Sequence, residues 1–235
     1  LGAIKQYLEL QSKHECLFFI ANYHAMTTVQ NGEQLRENTI QVAIDYLALG
    51  LNPAQASLFV QSDIPELTEL AWVFSTVTGM GLLERCHSYK DKVARNIAAN
   101  HALFAYPVLM AADILMYKSN IVPVGKDQIQ HLEVTRDIAK SFNSVYGQEV
   151  FPMPEGYTPP EVATVPGTDG QKMSKSYNNT ITMFEPEKKL RKTIMGIKTD
   201  SLGVDDPKDP DTCNVYKLFS LFARDSQKND LAGRY

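Results

Sequence analysis

The sequence predicts an α/β protein with a Rossmann-like parallel sheet, followed by the start of a helical domain. Three short apolar runs of β type, at residues 16–20, 57–61 and 121–124, alternate with longer segments of helical periodicity. Strands separated by helices of this length pair in parallel, because each helix returns the chain to the end of the sheet where the next strand begins. After the third run the strand signals stop, and helices are expected at 185–195 and 213–224.

Helical periodicity marks the segments between and around these strands. It covers residues 4–12, 33–49, 84–100, 107–118 and 128–142. Pro65 suits the first turn of one more helix, whose apolar character predicts that Trp72 lies in the core. Pro107 likewise suits a first helical turn. Between 148 and 170, Pro, Gly, Glu and Thr dominate, which is typical of a long functional loop or hinge.

Composition argues against several classes of protein. Of the 235 residues 44% are hydrophobic and 21% are charged, which is ordinary for a globular chain, and no run approaches a membrane span. Cys16, Cys86 and Cys213 are far apart, so they predict neither a disulfide framework nor a zinc knuckle, and we expect a cytoplasmic protein. The histidines have no metal-like spacing, so we expect no tightly bound metal. The net charge of −4 argues against general coating of nucleic acid but allows a local RNA-binding surface.

The most specific motif of the chain is the pentapeptide Lys172-Met173-Ser174-Lys175-Ser176. Gly167 and Gly170 precede it, so its lysines are expected on a mobile loop. Two ammonium groups three residues apart can close over a polyanion. Positive charge that arrives with loop closure stabilises a pentavalent α-phosphate and a departing pyrophosphate. The alternative is a solvated basic turn, which is what most Lys/Ser loops are.

A second informative stretch is the apolar helical segment around residues 106–115. Tyr106, Met110 and Asp113 are four and three residues apart, so they share one helical face. An aspartate among apolar neighbours is costly to bury unless donors reach it. The aromatic and thioether groups predict walls of a flat apolar slot with one acceptor at its base. A capping or salt-bridging carboxylate is the alternative.

The third run leads into a candidate ligand-binding turn. Val122 and Val124 point to the same side of their strand, and the four residues that follow are Gly125-Lys126-Asp127-Gln128. Parallel α/β sheets bind ligands at the carboxyl ends of their strands. The glycine lets a nucleotide approach the backbone, the aspartate can accept from a ribose or ammonium group, and the glutamine offers a donor and an acceptor. An ordinary strand-to-helix turn is the alternative.

Taken together, these motifs resemble the class I aminoacyl-tRNA synthetases. The pentapeptide is similar to the KMSKS loop of that family. The stretches YPVLMAADIL, IVPVGKDQ and QHLEVTRDIA are similar to those of its tryptophanyl branch, as are FFIANYHAMTT and LLERCHSYKDKVA upstream. The resemblance covers most of residues 1–200.

The resemblance implies an enzyme that activates L-tryptophan with ATP and Mg²⁺, transfers it to tRNA(Trp), and forms a homodimer. Asp113 would accept the indole N–H, and the other residues of the amino-acid site would be Tyr106, Met110, Val122, Val124, Gln128 and His24. ATP would contact Gly125, Lys126, Asp127, Lys92 and the KMSKS loop, in which Lys172 and Lys175 are the catalytic candidates. The implied division is a catalytic domain at 1–165, the loop at 166–181, and the start of an anticodon-binding region at 182–235.

The HIGH-type motif of this family is not found in the sequence. The resemblance places it, with the first strand of the sheet, just before Leu1, and it places Tyr235 within the helical anticodon-binding region. We therefore expect the 235-residue chain alone to be catalytically weak or inactive.

The chemistry of the predicted pocket favours tryptophan. Indole carries one donor and no acceptor, so its pocket needs an acceptor and otherwise apolar walls. Phenylalanine would leave Asp113 unpaired, whereas the tyrosine hydroxyl could satisfy it and must be excluded by shape. The closest rival function is therefore that of a tyrosyl-tRNA synthetase. A non-catalytic synthetase-like fragment used for binding or regulation is a second rival, and a metabolic nucleotidyltransferase is a third.

Overall fold

A computed structural model of the chain describes residues 3–86, 100–125, 128–157, 165–174, 177–203 and 206–235. The chain divides into two compact units. One is Ala3–Pro159, and the other is Pro160–Tyr235 together with Leu1–Gly2. The functional division at 165 and 181 remains a prediction.

The first unit is built from two βαβ arrangements. Its helices are α1 (Ala3–Leu10), α2 (Asn22–Ala25), α3 (Gly32–Ala48), α4 (Glu66–Ser75), α5 (Met80–Glu84), α6 (His101–Leu115) and α7 (Ile129–Tyr146). Its strands are β1 (Cys16–Ile20), β2 (Ala56–Val60), β3 (Ile121–Pro123) and β4 (Glu155–Tyr157). β1 pairs in parallel with β2 across α3, and β3 pairs in parallel with β4 across α7. The predicted α/β class with parallel strands is confirmed.

Caps and glycines explain where the helices begin and end. Asn31 caps α3 by accepting from the Gln34 amide at 3.0 Å, and Gly50, with φ of +108°, reverses the chain after it. Asn100 caps α6 through the Leu103 amide at 2.9 Å, so α6 begins at His101. The prediction that Pro107 lies in the first turn is wrong, because Pro107 lies inside α6. Residues 87–99 of the helix expected at 84–100 lie outside the described residues.

The segment at 148–170 is not loop throughout, contrary to prediction. Residues 155–157 form β4, which pairs with β3. A Cβ on Gly156 would lie 2.9 Å from Leu132 Cδ2, so any larger residue would require the buried Leu132 side chain to move. The glycine that makes this segment resemble a loop in composition therefore allows β4 to approach α7 closely.

The main core of this unit lies where α4, α6 and α7 meet. Phe74, Leu115 and Ile138 are fully buried there, and the Phe74 ring lies 5.8 Å from that of Phe142. The prediction that Trp72 lies in the core is wrong, because its side chain is 74% exposed. Residues two apart on a helix point to different sides, so α4 buries Phe74 and presents Trp72 outward.

The second unit is helical where it is regular. It contains α8 (Glu187–Met195), α9 (Asn214–Ser220) and α10 (Asp225–Ala232). The predicted helices at 185–195 and 213–224 are confirmed, although α9 ends at Ser220. A helix that was not predicted follows after Arg224, where a capping box with Gln227 starts α10. None of the helices in the described part of the chain has the length and apolar character needed to cross a bilayer.

Candidate functional site

Residues from α6 and from the turn after β3 line one cavity in the first unit. The cavity has a volume of about 380 Å³ and is bounded by β1 and β3. Six predicted site residues line it: Met110, Asp113, Val122, Val124, Gly125 and Gln128. Pockets of this volume hold small molecules, and the fold brings these residues together from separate stretches of the sequence.

Aromatic side chains supply much of the cavity wall. The Tyr7 ring lies 5.0 Å from that of Phe18 and 6.2 Å from that of Tyr46. Burial raises the pKa of Tyr7 and is the largest cause that raises the pKa of Tyr46, so both phenols stay neutral at neutral pH. Sequence reasoning missed both tyrosines, because they lie on separate helices and share no motif.

Asp113 is buried but has hydrogen-bond partners. The residue is only 4% exposed in the folded chain. The Gln61 amide nitrogen lies 2.8 Å from each of its two carboxylate oxygens, and His24 Nε2 lies 2.8 Å from Oδ2. These donors offset the cost of burying the carboxylate. Asp113 therefore hydrogen-bonds His24 and also lines the cavity, and its role as the acceptor for a ligand remains a prediction.

Besides burial, the negative charge of Asp113 affects the pKa of Tyr117, which lines the same cavity. Burial raises the pKa of Tyr117, and the negative charges of Asp113 and then Glu66 raise it further. A group that enters beside Asp113 therefore meets a negative field and aromatic walls. Such a site favours a flat apolar ligand that carries a hydrogen-bond donor.

His24 and Tyr106 line a second, smaller hollow of about 210 Å³. Their rings meet edge to face at 6.0 Å, and the Tyr106 hydroxyl hydrogen-bonds His131 Nε2 on α7. His24 is linked to the main cavity by its bond to Asp113. The structure thus places these two predicted residues beside the main cavity, and their contact with a ligand remains a prediction.

Gln61 is a site residue that sequence reasoning missed. It follows β2 directly, and its side chain is fully buried. Its Oε1 accepts from the Tyr23 amide at 3.0 Å, while its nitrogen faces Asp113. The one signal that the sequence carries is its position at the carboxyl end of a parallel strand, where ligand sites form.

The KMSKS loop belongs to the second unit. Lys172 pairs with Pro166 in an antiparallel bridge, the Met173 amide donates to the Val165 carbonyl at 2.8 Å, and the Lys172 side chain is exposed. Five predicted ATP-contacting residues lie outside the described residues: Lys92, Lys126, Asp127, Lys175 and Ser176.

Asn179 anchors this loop from a buried position, with only 3% of its surface exposed. Its Oδ1 accepts from the Ser174 amide at 2.8 Å, and its Nδ2 donates to Asp169 Oδ1 at 2.7 Å and to the Lys172 carbonyl at 3.1 Å. The bond from Asn179 is the largest cause that lowers the pKa of Asp169. A Cβ on Gly167 would lie 2.2 Å from Asn179 Nδ2, so glycine is required there.

Within the described ranges, no three His, Cys, Asp or Glu side chains come together in a way that could hold a metal ion.

Comparison with known proteins gives one consistent result. A family profile described as "tRNA synthetases class I (W and Y)" matches residues 1–231. The tryptophan–tRNA ligase of Rhodopirellula baltica is 56% identical over 234 residues, which cover all of this chain and 73% of that protein. The tryptophan–tRNA ligase of Fusobacterium nucleatum subsp. nucleatum is 53% identical over 234 residues, which cover all of this chain and 72% of that protein.

A solved structure gives the same result. The tryptophanyl-tRNA synthetase from Campylobacter jejuni, crystallised with ADP and tryptophan, is 53% identical and has a TM-score of 0.93. The match covers all of this chain and 73% of that one.

Proposed function

Since this chain belongs to the class I tRNA synthetases of the tryptophan and tyrosine type, we propose that it is a tryptophan–tRNA ligase. It activates L-tryptophan with ATP to tryptophanyl-adenylate and passes the tryptophanyl group to tRNA(Trp). The observation that carries the assignment is the buried Asp113 acceptor in an aromatic-walled cavity. That combination matches indole, which has one donor on a flat apolar ring.

A tyrosyl-tRNA synthetase is not favoured. The relatives that are 53% and 56% identical over the whole of this chain are tryptophan–tRNA ligases. They likewise give no support to a non-catalytic role.

The tryptophan site uses residues that the cavity brings together. The indole lies between Met110, Val122 and Val124, with its N–H directed at Asp113. Gln128, at the start of α7, completes this part of the site, and Tyr106 and His24 approach the substrate from beside the cavity. A hydrogen bond to a buried acceptor discriminates against ligands that lack the donor far better than shape alone does.

The nucleotide binds at the turn after β3. Gly125, Lys126 and Asp127 contact ATP, and Lys92 approaches its phosphates. The tryptophan carboxylate attacks the α-phosphate in line, which forms the adenylate and releases pyrophosphate. No enzyme nucleophile is needed, so catalysis is positioning together with stabilisation of charge.

Lys172 and Lys175 supply positive charge as pyrophosphate leaves, and Mg²⁺ enters as part of the ATP substrate complex. The activated carbonyl is then attacked by a 3′-terminal ribose hydroxyl of the tRNA, and AMP leaves. The chemistry belongs to protein synthesis, and we assign the protein to the cytoplasm on that basis.

The exposed surface of α4 and α5 supports a homodimer. Trp72 is 74% exposed and Met80 63% exposed, and both residue types are enriched in protein interfaces. Large exposed aromatic side chains are costly to leave in water, so we assign this surface to contact with a second copy of the chain.

The test is binding of a tryptophanyl-sulfamoyl-adenosine, a stable adenylate analogue that spans both halves of the site. The analogue is expected to raise the melting temperature of the chain more than tryptophan or AMP alone. The tyrosyl analogue serves as the control and is expected to have a smaller effect. Equal stabilisation by both analogues, or none by the tryptophanyl one, would contradict the assignment.

A further inference from the structure

Two adjacent segments at the carboxyl ends of β1 and β2 are joined by a short hydrogen-bond network. Asn22 and Ser62 exchange two bonds, from Asn22 Nδ2 to Ser62 Oγ at 2.8 Å and from the Ser62 amide to Asn22 Oδ1 at 3.1 Å. Beside them, Gln61 Oε1 accepts from the Tyr23 amide. The Asn22–Ser62 bonds join the two segments to each other, whereas the Tyr23–Gln61 bond continues through the Gln61 side chain to Asp113.

The Tyr23 amide fixes which way the Gln61 side chain faces. A backbone N–H can only donate, so the oxygen of the Gln61 amide must face it. The Gln61 nitrogen is then directed at Asp113, and a reversed amide would set one acceptor against another. Since Gln61 is fully buried, no water competes for these bonds.

This orientation in turn determines the hydrogen-bonding character of Asp113. Both of its oxygens face the Gln61 NH₂ group, and Oδ2 also accepts from His24 Nε2. These contacts take three of the roughly four acceptor positions of a carboxylate. The remaining position is on Oδ1, and Asp113 lines the cavity.

We propose that Gln61 is the positioning residue that fixes Asp113 as a hydrogen-bond acceptor for a ring N–H, and that it thereby sets the specificity of the site. Gln61 does not line the cavity, so it acts through Asp113 rather than by touching the ligand. The donor requirement of the pocket is thus set by the backbone amide of Tyr23, through one glutamine side chain. The proposal rests on the proposed function, because the ring N–H is that of tryptophan.

The binding experiment compares tryptophan with benzothienylalanine, in which sulfur replaces the ring N–H. The unmodified chain is expected to prefer tryptophan by about 10- to 150-fold, the contribution of a hydrogen bond to a charged group. Gln61→Met removes both bonds of the amide. Gln61→Leu removes the same bonds and has a similar volume. Both substitutions should reduce the preference to about threefold or less, chiefly by weakening tryptophan binding.

Asn22→Ala is the matched control. It removes the neighbouring two-bond link between the same segments without touching Asp113, so the preference should stay within about twofold of the original. Gln61 variants that fold and keep the full preference would overturn the proposal. An equal loss of preference in Asn22→Ala would also overturn it, because the effect would then belong to the segments rather than to the polarity of Gln61.

A second measurement needs no ligand. In NMR spectra, the side-chain NH₂ protons of Gln61 should exchange far more slowly than those of the exposed Gln55, and Asp113→Ala should remove the protection. If the chain binds neither amino acid, the proposed function fails, and this exchange measurement alone decides whether Gln61 holds Asp113. Exchange as fast as that of Gln55 would refute the contact itself.

Discussion

Replacement of Asp113 by Asn is the substitution whose effect follows most directly from the structure. It keeps the volume of the side chain but removes its charge and turns one acceptor into a donor. With the new NH₂ group at the Oδ1 position, the indole N–H meets a donor. At the Oδ2 position the new NH₂ group faces His24 Nε2, which lies 2.8 Å from that oxygen and donates to it in the unmodified chain. In both orientations it also faces the Gln61 NH₂ group, which lies within 2.8 Å of both oxygens.

The expected loss is that of one hydrogen bond to a charged group, about 1.5–3 kcal/mol, or roughly 10- to 150-fold in tryptophan affinity. Isothermal titration calorimetry measures it, with ATP titrated in parallel as a ligand whose affinity should not change. Asp137→Asn, an exposed aspartate of α7, is the matched control and should bind tryptophan normally. Tryptophan affinity within about twofold of the original in a folded Asp113→Asn protein would remove Asp113 from the site.

Three further substitutions test the anchoring of the KMSKS loop, the proposed dimer surface on α4 and the role of Lys172. Asn179→Ala should speed hydrogen exchange of the Ser174 amide by about tenfold or more, since it removes the bond that holds that amide; unchanged exchange would mean that the loop is held elsewhere. Trp72→Glu should shift the chain to monomer in analytical ultracentrifugation, and a persistent dimer would place the interface on another surface. Lys172→Ala should slow tryptophan-dependent ATP–pyrophosphate exchange by about 100-fold, measured in a form of the protein that catalyses this exchange. Tryptophan binding should remain, and the control Lys188→Ala on α8 should leave the exchange rate unchanged.

The parts of the site that the sequence predicts are those that form local patterns. Met110 and Asp113 follow from helical spacing, and Val122 and Val124 follow from the alternation of a strand. The structure places all four around one cavity. Local periodicity therefore decides which side chains share a face, and the parallel strands bring the separate faces together.

The parts that the sequence does not predict depend on contacts between distant segments. Gln61 reaches Asp113 across 52 positions of the chain, and a single glutamine after a strand carries no pattern that reveals its partner. Trp72 is predicted to lie in the core but is exposed, because the periodicity of an apolar helix does not tell whether a given face packs on the core or on a second protein. Gly156 predicts a loop by composition, but it permits the close packing of β4 on Leu132.

The most direct test of the central claim is calorimetric titration of the chain with tryptophan and then with tyrosine. Selective binding of tryptophan is expected, because the proposed site has Asp113 as the acceptor for the indole N–H in a cavity lined by Met110, Val122 and Val124. Equal affinity for the two amino acids, or a preference for tyrosine, would contradict it.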